Sequence, residues 1–168
     1  MTNRSLIRVN QKLAQALILL RGAEAENLSI IHINSILEGA AFHLVCAYQH
    51  YLRELTEVYG VKQILEVGDE SALVKALQSA ARHPAEAHEL LELRIDQRSW
   101  LAQLYAYYNS LWKVPIIDEP HDDDHSLIQV VNLDAVEEMP QVTASVIAGW
   151  HTAFVELVRR QRETSAEF

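Results

Sequence analysis

The chain has 168 residues, 49% hydrophobic and 22% charged, a globular composition that excludes a disordered polymer. Only five Gly and four Pro are available for turns, so the elements must be long, which favours helices over the many short strands of a sandwich. A net charge of −9 argues against general nucleic-acid binding, and a lone cysteine, Cys46, excludes a disulfide framework.

From Asn3 to about Glu24, Leu6, Val9, Leu13, Leu17 and Leu20 recur at three- and four-residue spacings, predicting an amphipathic helix. A second helical run starts around Asn27 and carries Leu37, Ala41, Leu44, Tyr48, Leu52 and Leu55 to a stop at Gly60. At ~1.5 Å per residue it would be about 48 Å long, so a bend is expected near Asn34, Ser35 or Gly39. After a connector, Asp69 or Ser71 offers an N-cap for a third helix through Ala81. Pro84 then suits the first turn of the next helix, which carries Leu90, Leu91 and Leu93.

Arg94 to Ser99 breaks the apolar pattern, and Asp96 is placed to cap a further helix with Trp100, Leu101, Leu104 and Tyr108. Whether residues 85–112 form one helix or two stays open. Residues 114–139 read as an irregular acidic connector, with Leu127–Val131 as a short extended stretch. There is no Lys or Arg between Lys113 and Arg159, whereas the opening helix carries Arg4, Arg8, Lys12 and Arg21 before its first acid, so the two segments are expected to neutralise one another in part. Pro140 opens the last helix, packing Val146, Ile147, Trp150, Phe154 and Leu157, and the polar tail from Arg159 is expected to fray.

The expected fold is all-α: one domain over residues 1–168, an up-and-down bundle of four main helices plus short extra ones, with the acidic segment before the last helix. No secretory leader pattern opens the chain and no run approaches ~20 consecutive apolar residues, so a cytoplasmic protein without a membrane partner is expected.

Arg8-Val9-Asn10-Gln11-Lys12, Glu38-Gly39-Ala40-Ala41-Phe42-His43-Leu44 and Ser99-Trp100-Leu101-Ala102-Gln103-Leu104 resemble stretches of an uncharacterised family of small all-helical bacterial proteins, a domain of unknown function. The resemblance implies a helical fold and a bacterial cytoplasmic setting. It implies no activity.

Candidate chemistry is sparse. His121, Asp123 and His125 lie in the densest run of imidazole and carboxylate, the ligand types of divalent metals, although consecutive residues on an extended loop point apart. His43, His50 and Glu54, at i, i+7 and i+11, share one side of the second helix and resemble half of a bundle-core metal site. The Glu-x-x-His and His-Glu-x-x-His ligand patterns do not occur.

Phosphodiester-cleaving bundles carry an Arg with a His four to six residues on; Arg82 and His83 are adjacent and Arg21 is too far from His32 to supply it. No Gly-x-Ser-x-Gly turn presents a nucleophile and the five glycines are isolated, so neither acyl transfer nor phosphate cradling is indicated. Tyr105, Tyr107, Tyr108 and Trp112 crowd one helix too densely for all to face inward, which points to an interaction surface. The reading is a non-catalytic protein without cofactors, acting on a protein partner or as a homodimer. The alternative is a metal-binding or small-ligand-binding bundle, with His43 or Glu38 lining its pocket, and with catalysis open to it.

Overall fold

The structure is a computed structural model and describes residues 4–61, 67–114 and 142–165. Among the described residues it is all-helical, with six helices: α1 (Arg4–Gly22), α2 (Ile30–Val58), α3 (Glu70–Ser79), α4 (Ala85–Ile95), α5 (Trp100–Ser110) and α6 (Ala144–Ser165). The acidic connector 114–139, Val114 apart, and with it the stretch Leu127–Val131 lie outside the described residues.

Each boundary has a local cause. The Ser29 hydroxyl accepts the His32 N–H at 3.3 Å and starts α2 at Ile30, three residues later than the apolar pattern suggested. Asp69 caps α3 by accepting the Ala72 N–H at 2.7 Å. Residues 85–112 form two helices, and Ser99 rather than Asp96 caps the second: its hydroxyl accepts the Ala102 N–H at 3.0 Å and donates to the Leu93 carbonyl. Asp96 accepts from the Arg98 N–H inside the turn. Thr143 accepts from the Val146 N–H, so α6 begins at Ala144, after the predicted Pro140.

α2 is the hub and touches α1, α3, α5 and α6, with the α1 contact the most extensive. Ser5 reaches Glu57 while Lys12 reaches His43, so α1 runs antiparallel to α2. Tyr48 meets Phe154 and Glu54 meets Arg162, so α6 runs parallel to α2. Trp100 stacks on Phe154 and Gln103 reaches Trp150, which sets α5 antiparallel to α6.

The predicted apolar stripes close on a shared core: Val9 and Leu13 from α1, Leu44 and Leu52 from α2, Leu101 and Leu104 from α5, Ile147 and Phe154 from α6. Each such side chain contributes about 1.5–3 kcal/mol on burial. Over its 29 residues α2 is long and apolar enough to cross a bilayer, a property the sequence reading passed over because Glu38 and other polar residues interrupt the apolar run. Its inward face is the centre of this core, and a core helix meets the same criterion.

The final turns of α6 are the largest departure from expectation. The helix continues to Ser165, and the polar residues forecast to fray are anchored. Gln161, 2% exposed, accepts from the Tyr51 hydroxyl at 2.7 Å and donates to Glu89 at 2.7 Å. Arg160 pairs with Glu89 and Arg162 with Glu54. A polar stretch lacks the apolar periodicity that marks a packed helix, which is why pattern alone misreads it.

Candidate functional site

An open groove among the described residues lies between the N-terminal half of α2 and the C-terminal end of α5. Ser35, Glu38, Gly39 and Phe42 form one wall, Tyr108, Leu111 and Trp112 the other, around a volume of about 450 Å³. The first wall follows from helix geometry, since residues 35, 38, 39 and 42 stack on one face. At Gly39 a Cβ would stand 3.1 Å from Leu19 Cδ1, so the missing side chain lets α1 close in behind the groove.

Trp112 sits where α5 gives way to a turn, with its ring 74% exposed and packed edge-on to Tyr108 at 6.2 Å. Phe42 is 46% exposed, and Ile31, one α2 turn before Ser35, is exposed as well.

The four aromatics singled out from sequence divide. Trp112 and Tyr108 line the groove. Tyr107 is half-buried beside Trp150, and burial first, then the Glu38 carboxylate, pushes its phenol up. Tyr105 turns inward against Tyr48, the Arg94 guanidinium lies 4.1 Å from the centre of its ring, and burial drives its phenol up. Phe42 was not singled out as an interaction residue. It lies beside the apolar stripe of α2, and only the position of α5 shows that it is left part-exposed in the wall of a groove.

The second-helix histidines do share a side with Lys12 of α1, but the environment is cationic. Lys12 Nζ lies 3.4 Å from His43 Nδ1, and desolvation, then the Lys12 charge, holds the imidazole below its usual range. His50 is lowered by desolvation, then by Arg53, Arg8 and Lys12. Glu54, 2% exposed, accepts two hydrogen bonds from Arg162 at 2.7 and 2.9 Å, so its carboxylate is committed and turned from the histidines' neighbours to α6. A divalent cation would enter a site already crowded with positive charge.

His121, Asp123 and His125 lie outside the described residues. Among the described residues no group of three or more His, Cys, Asp or Glu is placed to hold a metal ion. Cys46 is half-buried, and burial raises its thiol. An Arg and a His six residues apart do occur, at Arg82 and His88. Both are exposed, and Pro84 at the start of α4 separates them.

Over residues 1–168 the chain matches the family described as "Family of unknown function (DUF6586)". The protein belongs to that family. No curated protein and no solved structure is detectably similar to it.

Within this family member, the three stretches that carried the resemblance fall on three helices of the core, α1, α2 and α5. Arg8–Lys12 lies along α1 opposite α2, Glu38–Leu44 supplies both the groove wall and His43, and Ser99–Leu104 begins α5 with its cap.

Proposed function

We propose that the protein works by protein–protein contact, and that its partner at the α2–α5 groove is a second copy of itself. The observation that carries this reading is Trp112, a large aromatic 74% exposed beside a concave floor built by Gly39, Phe42 and Tyr108. A protruding ring next to a hollow on one surface is self-complementary under a two-fold axis, the commonest symmetry of homo-oligomers. An exposed tryptophan of this kind is also the residue type that dominates interface energies.

The same reading takes residues 1–168 as one domain in the bacterial cytoplasm, with no catalysis, cofactor, nucleic acid or membrane involved. It takes α1, α2, α5 and α6 as an up-and-down bundle with α3 and α4 as the extra helices. The alternating directions of these helices support the bundle, and 114–139 is its acidic connector.

Light scattering across a wide concentration range tests the assembly. A dimer is expected, and Trp112→Ala should weaken it roughly 30-fold, the ~2 kcal/mol of a hot-spot aromatic. A strict monomer at the highest attainable concentration removes the proposal.

A second reading has the groove taking a small apolar ligand oriented by Glu38. Its volume of about 450 Å³ falls in the range of ligand pockets, and Glu38 supplies a polar group in an otherwise mostly apolar lining.

A further inference from the structure

A second surface stands apart from the groove in composition and shares no residue with it. Arg8 and Lys12 on α1 and His43, His50 and Arg53 on α2 line the seam where the two helices pack antiparallel. In a chain of net charge −9, this stretch of the seam gathers basic groups, with Glu57 as the acid at its Ser5 end, and none of Arg8, Lys12 and Arg53 makes an ion pair with a described residue. Of the neighbouring acids of α2, Glu54 pairs with Arg162 of α6, while Glu57 accepts from the Ser5 hydroxyl at 2.5 Å at the end of the seam.

The polar groups of the seam are also incompletely satisfied. Arg53 Nε is buried with no acceptor, and Lys12 Nζ has a neutral imidazole nitrogen, at 3.4 Å, where a carboxylate would bind it better. Cations held close together repel one another, and after burial the charges of Lys12 at His43, and of Arg53, Arg8 and Lys12 at His50, hold the two imidazoles low.

We propose that this α1–α2 seam docks an acidic polypeptide segment of a partner protein, its carboxylates pairing with Arg8, Lys12 and Arg53. From His43 to Arg53 the seam runs about 15 Å at ~1.5 Å per residue, the span of four or five extended residues. That suits a short carboxylate-rich segment. A polyphosphate strand would extend past the seam onto a surface whose overall charge repels it.

The test is fluorescence anisotropy of a labelled five-residue peptide of Asp and Glu added to the full-length protein at low salt. Parallel arms use the same peptide with every Asp and Glu changed to its amide, and a single-stranded oligonucleotide of matched charge. The acidic peptide should bind, the amide peptide should not, and raised salt should weaken the complex. Arg8→Glu with Lys12→Glu should weaken binding at least about tenfold while the circular dichroism spectrum stays helical. Arg8→Gln with Lys12→Gln repeats the measurement without charge reversal, in case the reversed pair unfolds the seam. Absence of acidic-peptide binding, equal binding by the variants, or tighter binding of the oligonucleotide would each overturn the proposal.

Discussion

Arg162 shows how one side chain near the end of the chain holds the fold's most buried carboxylate. Its guanidinium grips both oxygens of Glu54, at 2.7 and 2.9 Å, and donates to Asn10 Oδ1 at 3.0 Å, so α1, α2 and α6 meet at a single group. Taking Arg162 to Ala leaves the Glu54 charge, 2% exposed, without a partner, and should cost about 3–5 kcal/mol in urea unfolding. Replacing both partners, Arg162→Met with Glu54→Leu, should cost much less, since no buried charge is then stranded. A single variant no worse than the double would show that the pair is not what ties the helices.

Sequence could not reveal this contact. The partners are 108 positions apart, and local spacing instead pairs Glu54 with His50. The aromatic set was legible as a candidate surface, but crowding on the helix pointed to Tyr107 or Tyr108, both partly buried, whereas Trp112 is exposed because α5 ends before it, and Phe42 needed the placement of α5.

At the scale of the element, two helix ends share one geometry with different residues. α2 closes with Gly60 at φ +70°, its N–H bonding the Glu57 carbonyl while Val61 N–H bonds Thr56. α3 closes in the same pattern with Ala81 at φ +54°, its N–H bonding Gln78 while Arg82 N–H bonds Leu77. This left-handed closing turn costs a glycine little and sets an alanine Cβ against the following carbonyl, about 1–2 kcal/mol. Ala81→Gly should therefore raise stability by about 1 kcal/mol, and Gly60→Ala should lower it by a similar amount, read from paired thermal melts. A destabilised Ala81→Gly variant would show that the left-handed turn is not strained.

The contrast marks how far pattern reading reached. The Gly60 stop was legible because glycine is the usual residue there, and the apolar stripes of α1, α2 and α5 gave those helices directly. The Ala81 end was legible in place but not in strain. The last turns of α6 were misread because their stabilising contacts are polar and long-range.

For the whole molecule, the consequence of this charge layout is a stability that falls with acid. His43, His50 and His151 all sit below the ordinary imidazole range, each chiefly through burial, with Lys12 adding to the first and Arg53, Arg8 and Lys12 to the second. For His151 the Leu13 carbonyl at 3.1 Å pulls the other way without cancelling the desolvation. A histidine lowered on folding takes up its proton in the unfolded chain first. Above an unfolded pKa of ~6.5 these residues leave stability unchanged; as pH falls from there to their folded values stability drops, and below those values the loss is complete.

Glu89 acts in the same direction in a more acidic window. Its hydrogen bond from Arg160 holds it below the usual carboxylate range, and the stability this confers is lost as pH falls through its folded value. The urea midpoint should therefore decline from pH 7.5 to pH 5.5, before the carboxylates protonate, and His43→Gln with His50→Gln should flatten that decline. Higher salt should flatten it too, for the His50 share that comes from three neighbouring cations, while leaving the His151 share, which is burial, in place. A midpoint constant across this interval would mean that the histidines are as solvated in the folded chain as in the unfolded one. An anion seated along Arg8, Lys12 and Arg53 should oppose the acid loss by favouring the protonated rings beside it, so binding and acid stability should rise together.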